Sequence, residues 1–207
     1  MEYKIAKEKL ISGDSSNAEW FKENGFFLEY AYSLVFEKKG DEALSILNSI
    51  YEKDLRADWL RKIIPIMQGT FQDKYFNRKD DELEKICPTF LQIRNFLEVD
   101  LTMLLNADDN EYALNLLNNG AFFYSICKES YKFMGRALYY YGLKKLALRF
   151  FLFAKKEFYN DSELHFLLAK LYKDLGQKEE CEHAIKTCLK YIPEYQPALK
   201  ILEEIQK

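Results

Sequence analysis

The chain has 207 residues, 48% of them hydrophobic and 30% charged, with a formal net charge of −3 and a pI of about 5.6. That length holds one elongated array or one to two compact domains. The weak negative charge argues against a general nucleic-acid or anionic-membrane binder, which carries a dominant basic field.

Met1–Ser12 carries charges throughout, so no secretory signal is read there. No uninterrupted apolar stretch approaches the roughly 18 residues of a membrane span. A cytoplasmic protein is therefore the expectation. Gly (8) and Pro (4) are scarce, which fits a mostly helical chain with short connections. The 15 Tyr and 16 Phe are expected to fill gaps between helices.

In chain order, Tyr3–Ile11 is predicted as a capping helix, followed by a polar break at Ser12–Asn17. A helix pair is expected over 24–57, with Ala31, Leu34, Ala43, Leu47 and Ile50 facing its core. The next stretch, 58–93, is divergent: a helical run Asp58–Tyr75, a polar turn Asn77–Asp80, a short helix Asp81–Ile86, then Pro88 opening the next helix. Residues 94–127 form another pair, turning at Asp108–Asn110. Residues 128–161 turn at Gly142 and close at Asn160–Asp161.

The last pair, 162–195, shows the clearest helical period, with apolar residues at 164, 167, 168, 171, 172 and 175. Asn160 and Glu163 have the spacing of a capping box. Gly176 is placed to end the first helix, and Pro193 to stop the second. Pro197–Gln206 is amphipathic and is predicted to cover the end of the array, as terminal repeats must.

A fixed period underlies this order. Ala113, Ala147 and Cys181 stand 34 residues apart, as do Gly120, Ala154 and Cys188, and Leu101, Gly135 and Ala169. The large residues Leu117, Phe151 and Ile185, and Leu104, Leu138 and Tyr172, keep the same spacing. Two helices cross closely only where side chains are small, while larger residues fill the groove beside the crossing. Ala43 precedes Ala113 by 70, two periods plus two residues, so one divergent repeat is expected between them.

The pattern resembles the tetratricopeptide repeat (TPR), a stacked unit of 34 residues with two antiparallel helices. Ala169, Tyr172, Gly176, Cys181, Cys188 and Pro193 take the family's signature places in the last repeat, and Gly135, Ala147, Phe151 and Ala154 do so in the one before. The chain departs from the family at Leu97, Tyr131 and His165, which replace its early Trp. It departs again at Asp100, where later repeats have Met134 and Leu168. The resemblance implies an all-α, right-handed α–α superhelix over 1–207 as a single repeat domain. Four to five helix-turn-helix units (24–57, 58–93, 94–127, 128–161, 162–195) would be followed by a capping helix at 196–207.

In this family the first helices line a concave groove that binds an extended peptide. Carried over, that geometry makes Lys132, Arg136, Tyr139, Tyr140, Phe166, Lys170 and Lys173 the candidate peptide-binding residues, with Glu129 and Glu163 beside them and Asn95, Glu98, Thr102 and Asn106 one repeat earlier. Arg supplies a planar fork for carboxylate, and aromatic rings supply contact area at low entropic loss. A protein or peptide partner with acidic character is expected.

Catalysis has little support. His165 and His183 are the only histidines, and no GxSxG, P-loop, HExxH or dinucleotide fingerprint occurs. Cys87, Cys127, Cys181 and Cys188 form no CxxC pair and read as small apolar fillers. No cofactor and no metal are expected. Mixed charge runs such as 78–85 read as solvated surface.

The function expected is a non-catalytic adaptor that binds a partner segment. One alternative is a dedicated chaperone of a secreted or assembling protein, with a homodimer built on N-terminal aromatics such as Phe26, Phe27, Tyr30 and Phe36. Another is an accessory that senses a peptide or small ligand.

Overall fold

Four tight turns carry the repeat into three dimensions. Lys38, Asp108, Gly142 and Gly176 have φ of 62°, 54°, 95° and 72°. The last three stand 34 residues apart, and Lys38 lies 70 before Asp108. This left-handed backbone turns the chain sharply after a helix; glycine reaches it freely, whereas Asp and Lys meet steric resistance. Lys38 is held there by its contacts: its ammonium pairs with Asp109 and sits 3.9 Å from the centre of the Tyr112 ring.

The computed structural model describes residues 2–50, 54–71 and 93–206. The predicted turn Asn77–Asp80, the short helix Asp81–Ile86, Cys87 and the Pro88 helix start lie outside them. The described helices are α1 (Tyr3–Ile11), α2 (Ala18–Glu23), α3 (Phe27–Phe36), α4 (Gly40–Asn48) and α5 (Leu55–Met67). A π-helical turn at Arg94–Glu98 then runs into α6 (Val99–Asn106). They continue with α7 (Asn110–Asn118), α8 (Gly120–Ile126), α9 (Ser130–Tyr140), α10 (Lys144–Glu157), α11 (Ser162–Asp174), α12 (Lys178–Tyr191) and α13 (Gln196–Ile205).

First helices end at Phe36, Asn106, Tyr140 and Asp174, and second helices begin at Gly40, Asn110, Lys144 and Lys178. Both series keep the register of the turns, and each first helix packs on its second. The described residues are an all-α repeat of helix-turn-helix units, TPR-like in period and crossing. They form two compact units, Met1–Cys127 and Lys128–Lys207.

The small residues sit at the crossings. Ala147, Ala154, Ala169, Cys181 and Cys188 are fully buried. Gly135 is the tightest case: a Cβ added there would lie 2.5 Å from the Phe151 ring. Cys181 and Cys188 are free thiols, and burial pushes both up from the ordinary thiol value. At the C-terminal end, Ala198 and Ile201 of α13 are buried in a helix that packs on α12.

Several boundaries differ from expectation for physical reasons. Asp161, not Asn160, caps α11, accepting from the Leu164 amide at 3.0 Å. The helical run expected from Asp58 starts instead at Leu55, because Asp54 accepts from the Arg56 and Ala57 amides. It ends at Met67, just before Gly69 turns left-handed at φ 70°. The second helix of the 94–127 pair breaks at Asn119 into α7 and α8, whereas α10 and α12 run unbroken for 14 residues each. Helix α2 has only six residues, too few to display a period.

N-terminal aromatics fill the start of the first unit. Phe26 contacts the rings of Tyr3, Trp20 and Phe21, Tyr30 is buried, and Phe27 stays exposed. Tyr3 donates to Glu29 at 2.6 Å, tying α1 to α3.

The Asp100 departure also has an explanation. Its carboxylate is buried and accepts from Tyr32 of α3 (2.8 Å), Trp59 Nε1 of α5 (2.6 Å) and the Arg56 guanidinium. Burial pushes this carboxyl up, while Arg56, Trp59 and Tyr32 pull it back. One acid thus joins three helices through directional bonds, where later repeats use an apolar contact.

Candidate functional site

The candidate face is built by α9 and α11, whose first-helix positions point to the same side one period apart. On α9, Lys132 and Arg136 are four residues apart and project together. Both reach Glu163 of α11: Lys132 at 3.3 Å, and Arg136 through a direct guanidinium–carboxylate pair. Lys132 also pairs with Glu129 (2.6 Å) and with Asp161 (2.7 Å), the acid that caps α11.

Lys132 is only 5% exposed. Burial alone would lower its ammonium, yet the bonds to Asp161 and Glu129 hold it above its ordinary value. Two of the four expected cations, Lys132 and Arg136, are therefore already engaged in joining α9 to α11.

Lys170 is different. Its ammonium lies over three rings: 5.3 Å from Tyr139, 5.8 Å from Tyr140 and 5.9 Å from Phe166. Among the described residues it has no carboxylate within ion-pair distance. Aromatic faces attract a cation through their quadrupole without neutralising it, so Lys170 keeps its charge available. Around it, Tyr140 is 62% exposed, and Tyr139 and Phe166 are half-buried.

The rim of this cluster is fixed on both sides. Tyr139 donates to Asp174 at 3.1 Å, and Asp174 also takes Lys144 at 3.3 Å. Burial and the Asp174 bond push the Tyr139 phenol up to about 12. Phe166 meets Tyr195 edge-on at 5.0 Å, and Lys173 pairs with Glu204 of α13. The structure thus gathers Tyr139, Tyr140, Phe166 and Lys170 into one cluster. Lys132 and Arg136 join a neighbouring ion-pair network, and Lys173 engages the last helix.

No family model matches the chain, and no curated protein is similar to it. Among solved structures, one match is YrrB, described as a TPR protein with an unusual peptide-binding site. It is 15% identical over 91% of this chain and 98% of that chain, with a TM-score of 0.45.

The residues expected one repeat earlier lie in the N-terminal unit and are placed differently. Asn95, Glu98 and Thr102 line a cleft of about 300 Å³ with Ile11, Arg94, Val99 and Met103. Asn106 instead donates to the Ile11 carbonyl at 3.2 Å. His165, which stands where the repeat pattern has its early Trp, is 1% exposed and donates from Nε2 to the Tyr159 carbonyl at 2.6 Å. Its Nδ1 then has no hydrogen-bond partner among the described residues, and burial holds the ring below its ordinary value. Among the described residues no His/Cys/Asp/Glu group could hold a metal ion, and no helix is long and apolar enough to cross a membrane.

Of the carboxylates that engage Lys132, the sequence places Glu129 and Glu163 on the same face by helical and repeat spacing, but it gives no signal for Asp161. Asp161 reads as a turn residue, and only the fold reveals that it serves both the helix cap and the lysine.

Proposed function

We propose that the α9–α11 face binds a peptide segment of a partner protein, without chemistry. An acidic side chain or terminal carboxylate of that peptide would pair with Lys170, and an apolar side chain beside it would lie on Tyr140 and Phe166. The observation that carries this reading is the Lys170 ammonium, set over three rings with no carboxylate partner among the described residues. An arriving carboxylate gains a charge-assisted bond and displaces little else. Lys132, Arg136, Tyr139 and Lys173 would contribute by holding the face rigid, which reduces the entropy lost on binding.

A peptide display selection on the full-length protein tests it. Enriched peptides should carry Asp, Glu or a C-terminal carboxylate next to an apolar residue. Their affinity, read by fluorescence anisotropy, should fall about tenfold or more with Lys170→Glu, as for loss of a close interfacial charge pair. Tyr140→Ala should weaken them less. Enriched peptides without acid, or acid-bearing peptides indifferent to Lys170→Glu, would remove this face from consideration.

A further inference from the structure

Helix α10 departs from its repeat equivalents on the face it shows to solvent. Lys145, in its first turn, corresponds in register to Asp41 of α4, Glu111 of α7 and Glu179 of α12. Those three helices carry acid in the first turn, and α10 carries none. Acid at a helix start complements the positive end of the helix dipole, and lysine opposes it.

The departure continues along the helix. Leu152 and Phe153 are 39% and 40% exposed, and their register equivalents are Asn48 and Ser49, Asn118 and Asn119, and Lys186 and Thr187. Arg149, one turn before them, and Lys156, one turn after, are exposed. Positions 145, 149, 152, 153 and 156 fall on one helical face.

Three cations and two large apolar residues therefore form one stripe. Helix α10 holds five Lys or Arg and a single carboxylate, Glu157. Among the described residues, Lys145, Arg149 and Lys156 have no carboxylate within ion-pair distance. Lys156 lies 5.4 Å from the Phe153 ring. Beneath, Phe153 rests against Tyr131 at 5.4 Å and Phe150 at 6.4 Å, a base that keeps its ring at the surface. Folding does not ask for this set, because α4 and α7 fold with acidic or polar residues at the equivalents of 145, 149 and 152, and α12 does so at all five positions.

We propose that this face of α10 is a docking surface for an acidic segment of a partner protein with an apolar anchor. Carboxylates of that segment meet Lys145, Arg149 and Lys156, and the anchor lies on Leu152 and Phe153. A protein segment fits better than an anionic lipid surface. The stripe is about 17 Å long at 1.5 Å per residue, and its two apolar side chains are already more than half covered. Lipid anchoring needs deeper insertion or a larger basic cluster, and the chain as a whole carries a net charge of −3.

The proposal does not rest on the α9–α11 face, and its test sets that face aside. A random peptide library is selected on the full-length protein carrying Lys170→Glu. Enriched peptides are expected to pair Asp or Glu with Leu, Phe or Trp. They should lose at least about tenfold in affinity when Lys145→Glu and Arg149→Glu are added, in a protein whose melting temperature does not fall. A selection that yields no peptide overturns the proposal, and so do peptides without acid or peptides that bind the charge-reversed protein equally. Mixed phosphatidylcholine–phosphatidylserine vesicles form the second arm. If they sediment the wild type and not the Lys145→Glu/Arg149→Glu protein, the face belongs to lipid and the proposal falls.

Discussion

The two compact units solve the same packing problem in different ways. In Lys128–Lys207, close approach comes from absent side-chain volume: Gly135 against Phe151, and buried Ala and Cys at the other crossings. In Met1–Cys127, three helices are joined through a buried acid, with Asp100 taking bonds from Tyr32, Trp59 and Arg56. The first solution is periodic and recurs outside its unit, since Ala31, Ala43 and Ala113 of Met1–Cys127 are buried in the same register. The second is specific to one place, because it needs three donors arriving from elsewhere in the chain. A repeat protein can therefore be regular at one end and particular at the other without leaving its fold.

The sharpest way to break this comparison is Asp100→Ala. It leaves Arg56 without its buried carboxylate and two donors without their acceptor. Removing one partner of a buried ionic group typically costs about 3–5 kcal/mol. Both tryptophans, Trp20 and Trp59, lie in the N-terminal unit, so their fluorescence in a urea titration reports that unit, while far-UV circular dichroism reports both. The fluorescence transition should move to much lower urea. If it does not move, the acid is not what joins these helices.

The opposite unit is probed by Gly135→Ala. Alanine favours a helix over glycine by about 1 kcal/mol, but the added Cβ would lie 2.5 Å from the ring of Phe151, a residue with no exposed surface. Overpacking of this kind costs about 1–3 kcal/mol and should win, for a net loss of about 1 kcal/mol. The loss should appear in circular dichroism and leave the tryptophan signal in place. Adding Phe151→Ile should restore stability, because Ala169 and Ile185 are the same pair one repeat later.

What the sequence could reveal follows from the same contrast. Gly142 and Gly176 announce their turns because their residue type and their backbone need agree. The turn at Lys38 cannot be read that way, since lysine is no turn former; it shows only as one more member of the register. Asp100 stands out as an acid in an apolar place, but its partners lie 68, 44 and 41 residues away, and no local pattern links them. On the candidate face, the positions of Lys132, Arg136 and Lys170 follow from helical spacing. Which of them stays available depends on Asp161, Glu129 and Glu163, and so on tertiary structure.

The smallest expected effect concerns the α10 stripe, and its sign matters more than its size. If Lys145 served folding, its replacement would weaken the protein. Its register equivalents Asp41, Glu111 and Glu179 argue the reverse. Lys145→Glu places an acid in the first turn of α10, where the sister helices have one, and such an exchange stabilises by about 0.3–1 kcal/mol. Thermal unfolding followed by circular dichroism at low salt should show a slightly higher melting temperature, and salt should shrink the gain as it screens the charges. The same substitution should weaken any acidic segment docked on the stripe. A residue whose reversal raises stability while lowering affinity is held by binding and not by folding. A lower melting temperature would return Lys145 to the structural ledger and remove the main reason to set α10 apart from its sisters.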